Sequence, residues 1–177
     1  MKYWLLIIFK NMTNAISPDR SRRFILLILG IDLGINMGFA WGIGKSPDWK
    51  LAYKCKKTST QTVGMSMENK IRSICTNHAI DTIGVEVLNF STYTKATQAH
   101  GKYFESVLRV SMDLGIELVK IQPNEAKKAL TGRGNACKHS MCHFASELYG
   151  KEILDDNVAD AIGVYVATRN KIGGFRN

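Results

Sequence analysis

Residues 24–32 read FILLILGID, an apolar run of strand length that ends on a carboxylate, Asp32. A continuous apolar run of this length is typical of a central strand that is buried on both faces of a sheet. Two further strand-like stretches follow at short spacing, MGFAWGI at 37–43 and WKLAYKC at 49–55, with the turn-forming residues GKSPD between them. The pattern therefore predicts that the fold opens with an antiparallel meander of three strands.

After the meander, helical and strand-like patterns alternate. Apolar residues recur at helical spacing over 67–75 before the short strand DTIGVEV at 81–87, and a helical face over 96–114 precedes the strand IELVKIQP at 116–123. Because parallel neighbouring strands need a crossover connection, this order predicts an α/β fold with a ribonuclease H-like, mixed five-stranded sheet flanked by helices. The last third of the chain shows three helical patterns, at 124–130, 139–149 and 156–168.

The 177 residues carry 24 Lys and Arg against 15 Asp and Glu, a formal net charge of +9, and 45% of them are hydrophobic. This length and apolar content suit one compact domain with its own core, so the chain need not be disordered, fibrous or disulfide-stapled. The basic excess favours a polyanionic partner. Nucleic acid is the leading candidate, and an anionic membrane surface is the alternative.

The sequence divides into a basic, flexible extension at 1–23, a ribonuclease H-like domain at 24–170 and a short tail at 171–177. The apolar run at 3–9 is too short to span a bilayer, and no small-residue cleavage site follows it as in a secretion signal. The four cysteines form no CxxC pair or dense framework, which predicts reduced thiols in a cytoplasmic protein. No membrane partner is expected. The residue types do not decide whether translation starts at Met1 or at Met12.

Two carboxylates end strands that are otherwise apolar: Asp32 in LGIDLG and Glu86 in IGVEVL. Burying an ionised carboxylate is unfavourable unless it meets a cation, so each is a candidate metal ligand. On adjacent parallel strands the two carboxylates would lie close together and would repel each other without a bound cation. For Asp32 taken alone, the alternative is an acid that caps a helix or a turn.

The last helical pattern begins DDNVAD and supplies a third acid, Asp160, in an otherwise apolar segment. Asn157 lies three residues earlier on the same helix face, whereas Asp155 and Asp156 suit the helix N-terminus, where acids complement the dipole. Oxygen ligands without a His or Cys cage favour Mg²⁺ or Mn²⁺, and such ions can activate water for phosphodiester hydrolysis. A basic chain with this set of oxygen ligands is therefore interpreted as a nuclease.

Three lysines occur where a nuclease would need positive charge. Lys127 and Lys128 follow Pro123 in a helical pattern, and Lys138 follows the loop GRGNAC. An ammonium at either place could stabilise phosphate charge. The alternative is that they are ordinary solvated lysines on a helix surface.

Four blocks in this order and spacing carry a resemblance to a known family: LGIDLGINMGFAWG, IGVEVLNF, IQPNEAKKALTGRGNACK and DDNVADAIGVYVA. Together they resemble the RuvC family of Holliday-junction resolvases over residues 24–170. The resemblance implies a homodimeric, Mg²⁺-dependent endonuclease that cuts branched DNA, with Mn²⁺ as a substitute. It also implies catalytic, metal-binding roles for Asp32, Glu86 and Asp160, and catalytic roles for Lys127 and Lys138.

The family usually places an acid or a His three residues before its last metal-binding Asp, and Asn157 stands there in this sequence. An amide oxygen can bind Mg²⁺ but brings no charge, so Asp156 is an alternative ligand. Phe90 lies near the position of a family aromatic that contacts bases at the junction, with core packing as an equal alternative. The other DNA-binding candidates are Lys95, Lys102, Lys128 and Arg133.

Three alternatives fit parts of the sequence. IDLGINMG also resembles the first phosphate loop of actin-like and sugar-kinase-like ATPases, but those proteins are much longer and need a second such loop and an adenosine motif. A protein with a degenerate ribonuclease H-like site could bind branched DNA without cutting it. The three acids argue against this hypothesis, and the amide at Asn157 argues for it. A zinc site at Cys137, His139, Cys142 and His143 is disfavoured because on a helix only His139 with Cys142 or His143 shares a face.

Overall fold

A computed structural model of the chain describes residues 26–55, 59–88 and 95–173. The predicted extension at 1–23 and most of the predicted tail at 171–177 lie outside these residues. Within them, no helix is both long enough and apolar enough to cross a bilayer.

A mixed sheet of five strands forms the centre of the fold, in the order β3-β2-β1-β4-β5. The pairs β1/β2 and β2/β3 are antiparallel, and β1/β4 and β4/β5 are parallel. The predicted meander and the predicted crossover strands are therefore both confirmed. The elements are β1 (Ile28–Asp32), β2 (Asn36–Gly42), β3 (Trp49–Lys54), α1 (Thr60–His78), β4 (Thr82–Glu86), α2 (Lys95–Leu114), β5 (Glu117–Ile121), α3 (Pro123–Thr131), α4 (Lys138–Tyr149) and α5 (Asp156–Lys171).

The boundary between β5 and α3 differs from the one predicted. The strand predicted at 116–123 ends at Ile121, and Pro123 begins α3 instead of closing the strand. Proline has no N–H to give to a strand ladder, and its fixed φ angle suits the first turn of a helix. The short connection through Gln122 places α3 directly after the carboxyl end of β5.

Helices cover both faces of the sheet. Helices α1 and α2 pack their apolar stripes, with Met67, Ile71 and Val107, on one face against the inward side chains of β1, β2 and β4. The opposite face meets α5, whose residues 161–168 are all buried, and α4 packs outside α5 through Met141 and Ala145. The result is a three-layer arrangement in which α5 is the most buried helix of the described chain.

Glycines let α5 lie directly on the sheet. A Cβ atom added at Gly38 of β2 would lie 1.8 Å from the Asn157 carbonyl oxygen, and one at Gly30 of β1 would lie 2.5 Å from the Ala161 carbonyl oxygen. At Gly84 of β4, paired with Gly30, an added Cβ would lie 1.8 Å from Thr168 Oγ1. Any other residue at these positions would push the helix away, because protein interiors have no spare volume of this size.

The position of α5 along its own axis is fixed by Tyr165. Its ring is fully buried, and its hydroxyl donates to the Gly44 carbonyl oxygen in the β2–β3 turn at 2.7 Å. Buried tyrosine hydroxyls need such a partner. The helix is thus held both against the sheet and in register with it.

Gly30→Ala should lower the free energy of unfolding by about 1–3 kcal/mol, since its methyl group would overlap the α5 backbone and force the helix outward. Gly101→Ala in α2 is the matched control, because an added Cβ there meets no atom within 4 Å. It should be neutral or stabilising by up to about 1 kcal/mol. Urea unfolding of both variants tests this, and equal effects would contradict the close approach of α5.

Candidate active site

Asp32 and Glu86 lie side by side at one edge of the sheet. Asp32 is the last residue of β1 and Glu86 the last residue of β4, and the parallel register places Ile31 opposite Val85. The residues that follow this pair are therefore neighbours at the carboxyl ends of the two strands. The adjacent acids expected from the sequence are brought together by the strand register.

Asp160 reaches the same edge from the first turns of α5. Asp32 pairs with Gly38 of β2, and the Asn157 backbone of α5 lies directly over Gly38. The close approach at this glycine brings the start of α5 next to Asp32. Asp160 is one turn further along the helix and is partly buried.

The pKa values of these acids indicate that they form one electrostatic cluster. Burial raises the pKa of Asp32 well above its usual value, and the charges of Glu86, Asp160 and Asp156 raise it further. Burial and the charge of Asp160 raise the pKa of Glu86 to about 7. The pKa of Asp160 is also raised, first by burial. Each carboxylate is thus penalised for its charge in a way that a bound cation would relieve.

Two lysines from different helices flank the cluster. Lys127 lies in the second turn of α3, and its charge opposes part of the rise in the pKa of Glu86 and of Asp160. Lys138, the first residue of α4, forms an ion pair with Asp156 and also lowers the pKa of Asp32. The structure therefore brings both predicted lysines within electrostatic reach of the acids.

The N-terminus of α5 is built by its own polar residues. Asp155 is the N-cap, and its carboxylate accepts from the backbone N–H groups of Asn157 and Val158 at 2.9 and 3.1 Å. The Asn157 side-chain amide donates to Asp155 Oδ1 at 3.1 Å and to Asp156 Oδ1 at 3.3 Å. The predicted role of Asp155 and Asp156 in starting the helix is confirmed.

The donor set fits a hard divalent cation. Asp32, Glu86 and Asp160 offer carboxylate oxygens, Asn157 can add its amide carbonyl, and Mg²⁺ and Mn²⁺ prefer such ligands. Among the residues that the structure describes, no three His, Cys, Asp or Glu side chains converge closely enough to hold a metal as they stand. The fit therefore rests on the chemistry and electrostatic coupling of the donors.

The predicted DNA-binding residues lie in different places. Lys128 on α3 and Arg133 in the α3–α4 loop are exposed close to Lys127 along the chain, and Lys102 is exposed on α2. Phe90 and the side chain of Lys95 lie outside the described residues.

The residues weighed as a zinc site do not converge as a metal-holding group in the part of the chain that the structure describes. The Cys137 thiol lies 3.3 Å from the Ser140 hydroxyl at the start of α4. His139, Cys142 and His143 line a groove together with Leu154.

Sequence reasoning missed the ion pair between Lys138 and Asp156. A usable signal was present, because a lysine at the first position of a helix opposes the helix dipole and needs a negative partner nearby. The identity of that partner depends on the packing of α4 against α5, which the sequence pattern does not contain.

The sheet order and the acidic edge define the class as a ribonuclease H-like α/β domain. The chain is 29% identical over 162 residues to the crossover junction endodeoxyribonuclease RuvC of Endomicrobium trichonymphae, covering 86% of this chain and 85% of the relative. It is 31% identical over 128 residues to that of Wolinella succinogenes, covering 69% and 78%. The chain belongs to the RuvC family.

Solved structures support the fold. Thermus thermophilus RuvC matches with a TM-score of 0.70 and 18% identity over 84% of this chain and 97% of that chain. A structure of T. thermophilus RuvC in complex with Holliday junction substrate matches with a TM-score of 0.71 and 18% identity, over 80% and 92%. No protein-family model matches the chain.

The raised pKa of Glu86 predicts that the metal-free protein loses stability as pH rises. The folded protein keeps the Glu86 proton up to about pH 7, whereas the unfolded chain releases it near the ordinary value of 4.5. Because the native state binds more protons between these values, the free energy of unfolding falls through this window. Glu86→Gln should flatten that fall and raise the melting midpoint at pH 8 in chelator.

Thermal unfolding at pH 5 and pH 8 measures this effect. A gain of about 1 kcal/mol would move the midpoint by about 2–4 °C in a chain of this size. Glu105 is exposed on α2, so Glu105→Gln is the control. Its stability should depend on pH in the same way as that of the wild type. Identical pH dependence in Glu86→Gln and wild type would show that Glu86 is not held in an unfavourable site.

Proposed function

We propose that this protein is a Mg²⁺-dependent endonuclease that resolves Holliday and other branched DNA junctions by phosphodiester hydrolysis. The observation that carries this proposal is the coupling of three buried or partly buried acids, Asp32, Glu86 and Asp160, at one edge of the sheet. The names of the relatives and the junction-bound T. thermophilus RuvC support branched DNA as the substrate.

The metal would be held by the carboxylates of Asp32, Glu86 and Asp160. The side-chain amide oxygen of Asn157 would be a further ligand. Divalent cations bound there supply an activated water and stabilise the leaving oxygen, and Mn²⁺ should replace Mg²⁺. The acids themselves do not need to exchange protons with the substrate. Their task is to present oxygens in a fixed arrangement on two strands and one buried helix.

Lys127 and Lys138 would stabilise the charge that develops on the reacting phosphate. They approach the acids from α3 and α4, so one lies on the Glu86 side and the other on the Asp156 side. The Lys138 side chain is 80% exposed, which leaves its ammonium accessible to a phosphate on an incoming strand. Ammonium groups aimed at developing negative charge act mainly on the transition state.

DNA is held chiefly by basic residues outside the acidic centre. Lys95, Lys102, Lys128 and Arg133 are the proposed contacts, with Phe90 as the proposed base-contacting aromatic. The net charge of +9 favours association with the DNA backbone. A four-way junction needs a cut in each of two opposing strands, so we propose a homodimer with two sites. The nuclease domain is proposed to span residues 24–170, and the protein is proposed to act on DNA in the cytoplasm.

Asp32→Asn, Glu86→Gln and Asp160→Asn should each abolish cleavage while leaving junction affinity largely intact. The reason is that phosphate contacts by Lys and Arg supply most of the affinity for DNA. The assay is cleavage of a labelled synthetic four-way junction, beside flap, fork and linear duplex controls, with Mg²⁺ or with chelator. Glu105→Gln is the control for removing one acid elsewhere.

Two outcomes contradict the proposal. Loss of binding in all three variants in parallel with cleavage would remove the catalytic assignment of the acids. Tight junction binding by the wild type without cleavage in Mg²⁺ or Mn²⁺ would favour the non-catalytic alternative.

Lys138→Ala should slow cleavage by about 10²–10³ and change affinity little, because its charge acts on the transition state. Lys151→Ala, an exposed lysine beyond the end of α4, should leave the rate near wild type. Single-turnover cleavage at saturating protein separates rate from affinity. If Lys138 instead makes an ordinary phosphate contact, its loss would weaken binding and reduce the salt slope by about one.

A further inference from the structure

Lys138 stands where a helix disfavours a cation. It is the first residue of α4, directly after the N-cap Cys137, and the helix N-terminus carries partial positive charge. Its side chain is 80% exposed, yet its ammonium is paired with the Asp156 carboxylate of α5. The compensating charge therefore comes from the neighbouring helix.

Both carboxylate oxygens of Asp156 are used. Oδ2 accepts from the Lys138 ammonium, and Oδ1 accepts from the Asn157 side-chain amide at 3.3 Å. The same amide nitrogen donates to the N-cap Asp155 at 3.1 Å. Contacts thus run without a gap from the capped end of α5 to the lysine.

This arrangement explains why position 157 is an amide. An acid there would be the third carboxylate in succession after Asp155 and Asp156, and it would repel both instead of donating to them. The amide NH₂ of Asn157 carries two hydrogens and can therefore donate to both carboxylates. The amide at Asn157 therefore suits a centre whose outer carboxylate is Asp156.

The ion pair is better suited to placing a charge than to stabilising the fold. Exposed ion pairs contribute little to stability, and a long lysine side chain samples many conformers when it is unpaired. Asp156 acts electrostatically on Asp32 and Asp160, so a cation held on Asp156 lies at the margin of the metal-binding acids. Lys138 acts on the same two acids.

We infer that Asp156 is the positioning residue of this site. Asn157 holds the Asp156 carboxylate, which keeps the Lys138 ammonium beside Asp32 and Asp160 until a DNA phosphate replaces Asp156 as the partner of that ammonium. This inference rests on the proposed nuclease function for its consequence, but not for the contact itself. It differs from a metal-binding role for Asp156, which would require the carboxylate to turn towards a cation.

The first test needs no nuclease activity. Lysines of the full-length protein are acetylated with a limiting amine reagent and the modified positions are mapped by mass spectrometry. Asp156→Asn should increase modification of Lys138 at least about threefold relative to Lys102 and Lys151, because an unpaired ammonium releases its proton more readily. Unchanged modification of Lys138 overturns the inference, whether or not the protein cuts DNA.

The second test is kinetic. Asp156→Asn should slow single-turnover cleavage about tenfold at unchanged or tighter junction affinity, and Asp156→Glu should recover part of the rate. In a Lys138→Ala background the same change should have no further effect, whereas in a Lys127→Ala background it should keep its full effect. Full additivity with Lys138→Ala overturns the inference.

A metal titration separates positioning from ligation. Mn²⁺ binding to the free protein should be the same in Asp156→Asn as in wild type, and a weakened affinity would make Asp156 a ligand instead. If the wild type cuts no junction, the proposed function fails, and the acetylation result still decides the contact between Asp156 and Lys138.

Discussion

The contact on which the rest of the structure depends is that of α5 with the sheet at Gly38, Gly30 and Gly84. At Gly38 and Gly30 no sheet side chain separates the strand from the α5 backbone, and at Gly84 the Thr168 side chain of α5 fills the space. The first turns of α5 are thereby placed at the ends of β1 and β4, where Asp32 and Glu86 stand. A helix displaced by one side-chain layer would carry Asp160 away from both acids.

The ionised acids of the centre lower the stability of the fold. Burial and mutual repulsion raise the pKa values of Asp32, Glu86 and Asp160, so each ionised carboxylate opposes folding at neutral pH. The buried apolar layers around α1, α2 and α5 supply the compensating stability. Lys127 and Lys138 offset part of this repulsion through their positive charge.

Much of the fold follows from sequence pattern, because the pattern reports burial. The apolar run before Asp32, the meander and the alternation of helices and strands predicted the sheet correctly. Acids at the ends of apolar strands predicted that Asp32 and Glu86 are neighbours. The pattern could not assign Pro123, since its helix-starting role depends on where β5 stops. The Lys138–Asp156 pair was also beyond it, because that contact joins α4 and α5, and the pattern does not report how these two helices pack through Met141 and Ala145.

We propose above all that Asp32, Glu86 and Asp160 together form a metal centre. Anomalous diffraction from crystals of the full-length protein soaked in Mn²⁺ tests it most directly, because manganese is located independently of any activity. If these residues form the metal centre, manganese should be bound by carboxylate oxygens of all three. Manganese absent from all three, at a concentration that supports junction cleavage in solution, would contradict it.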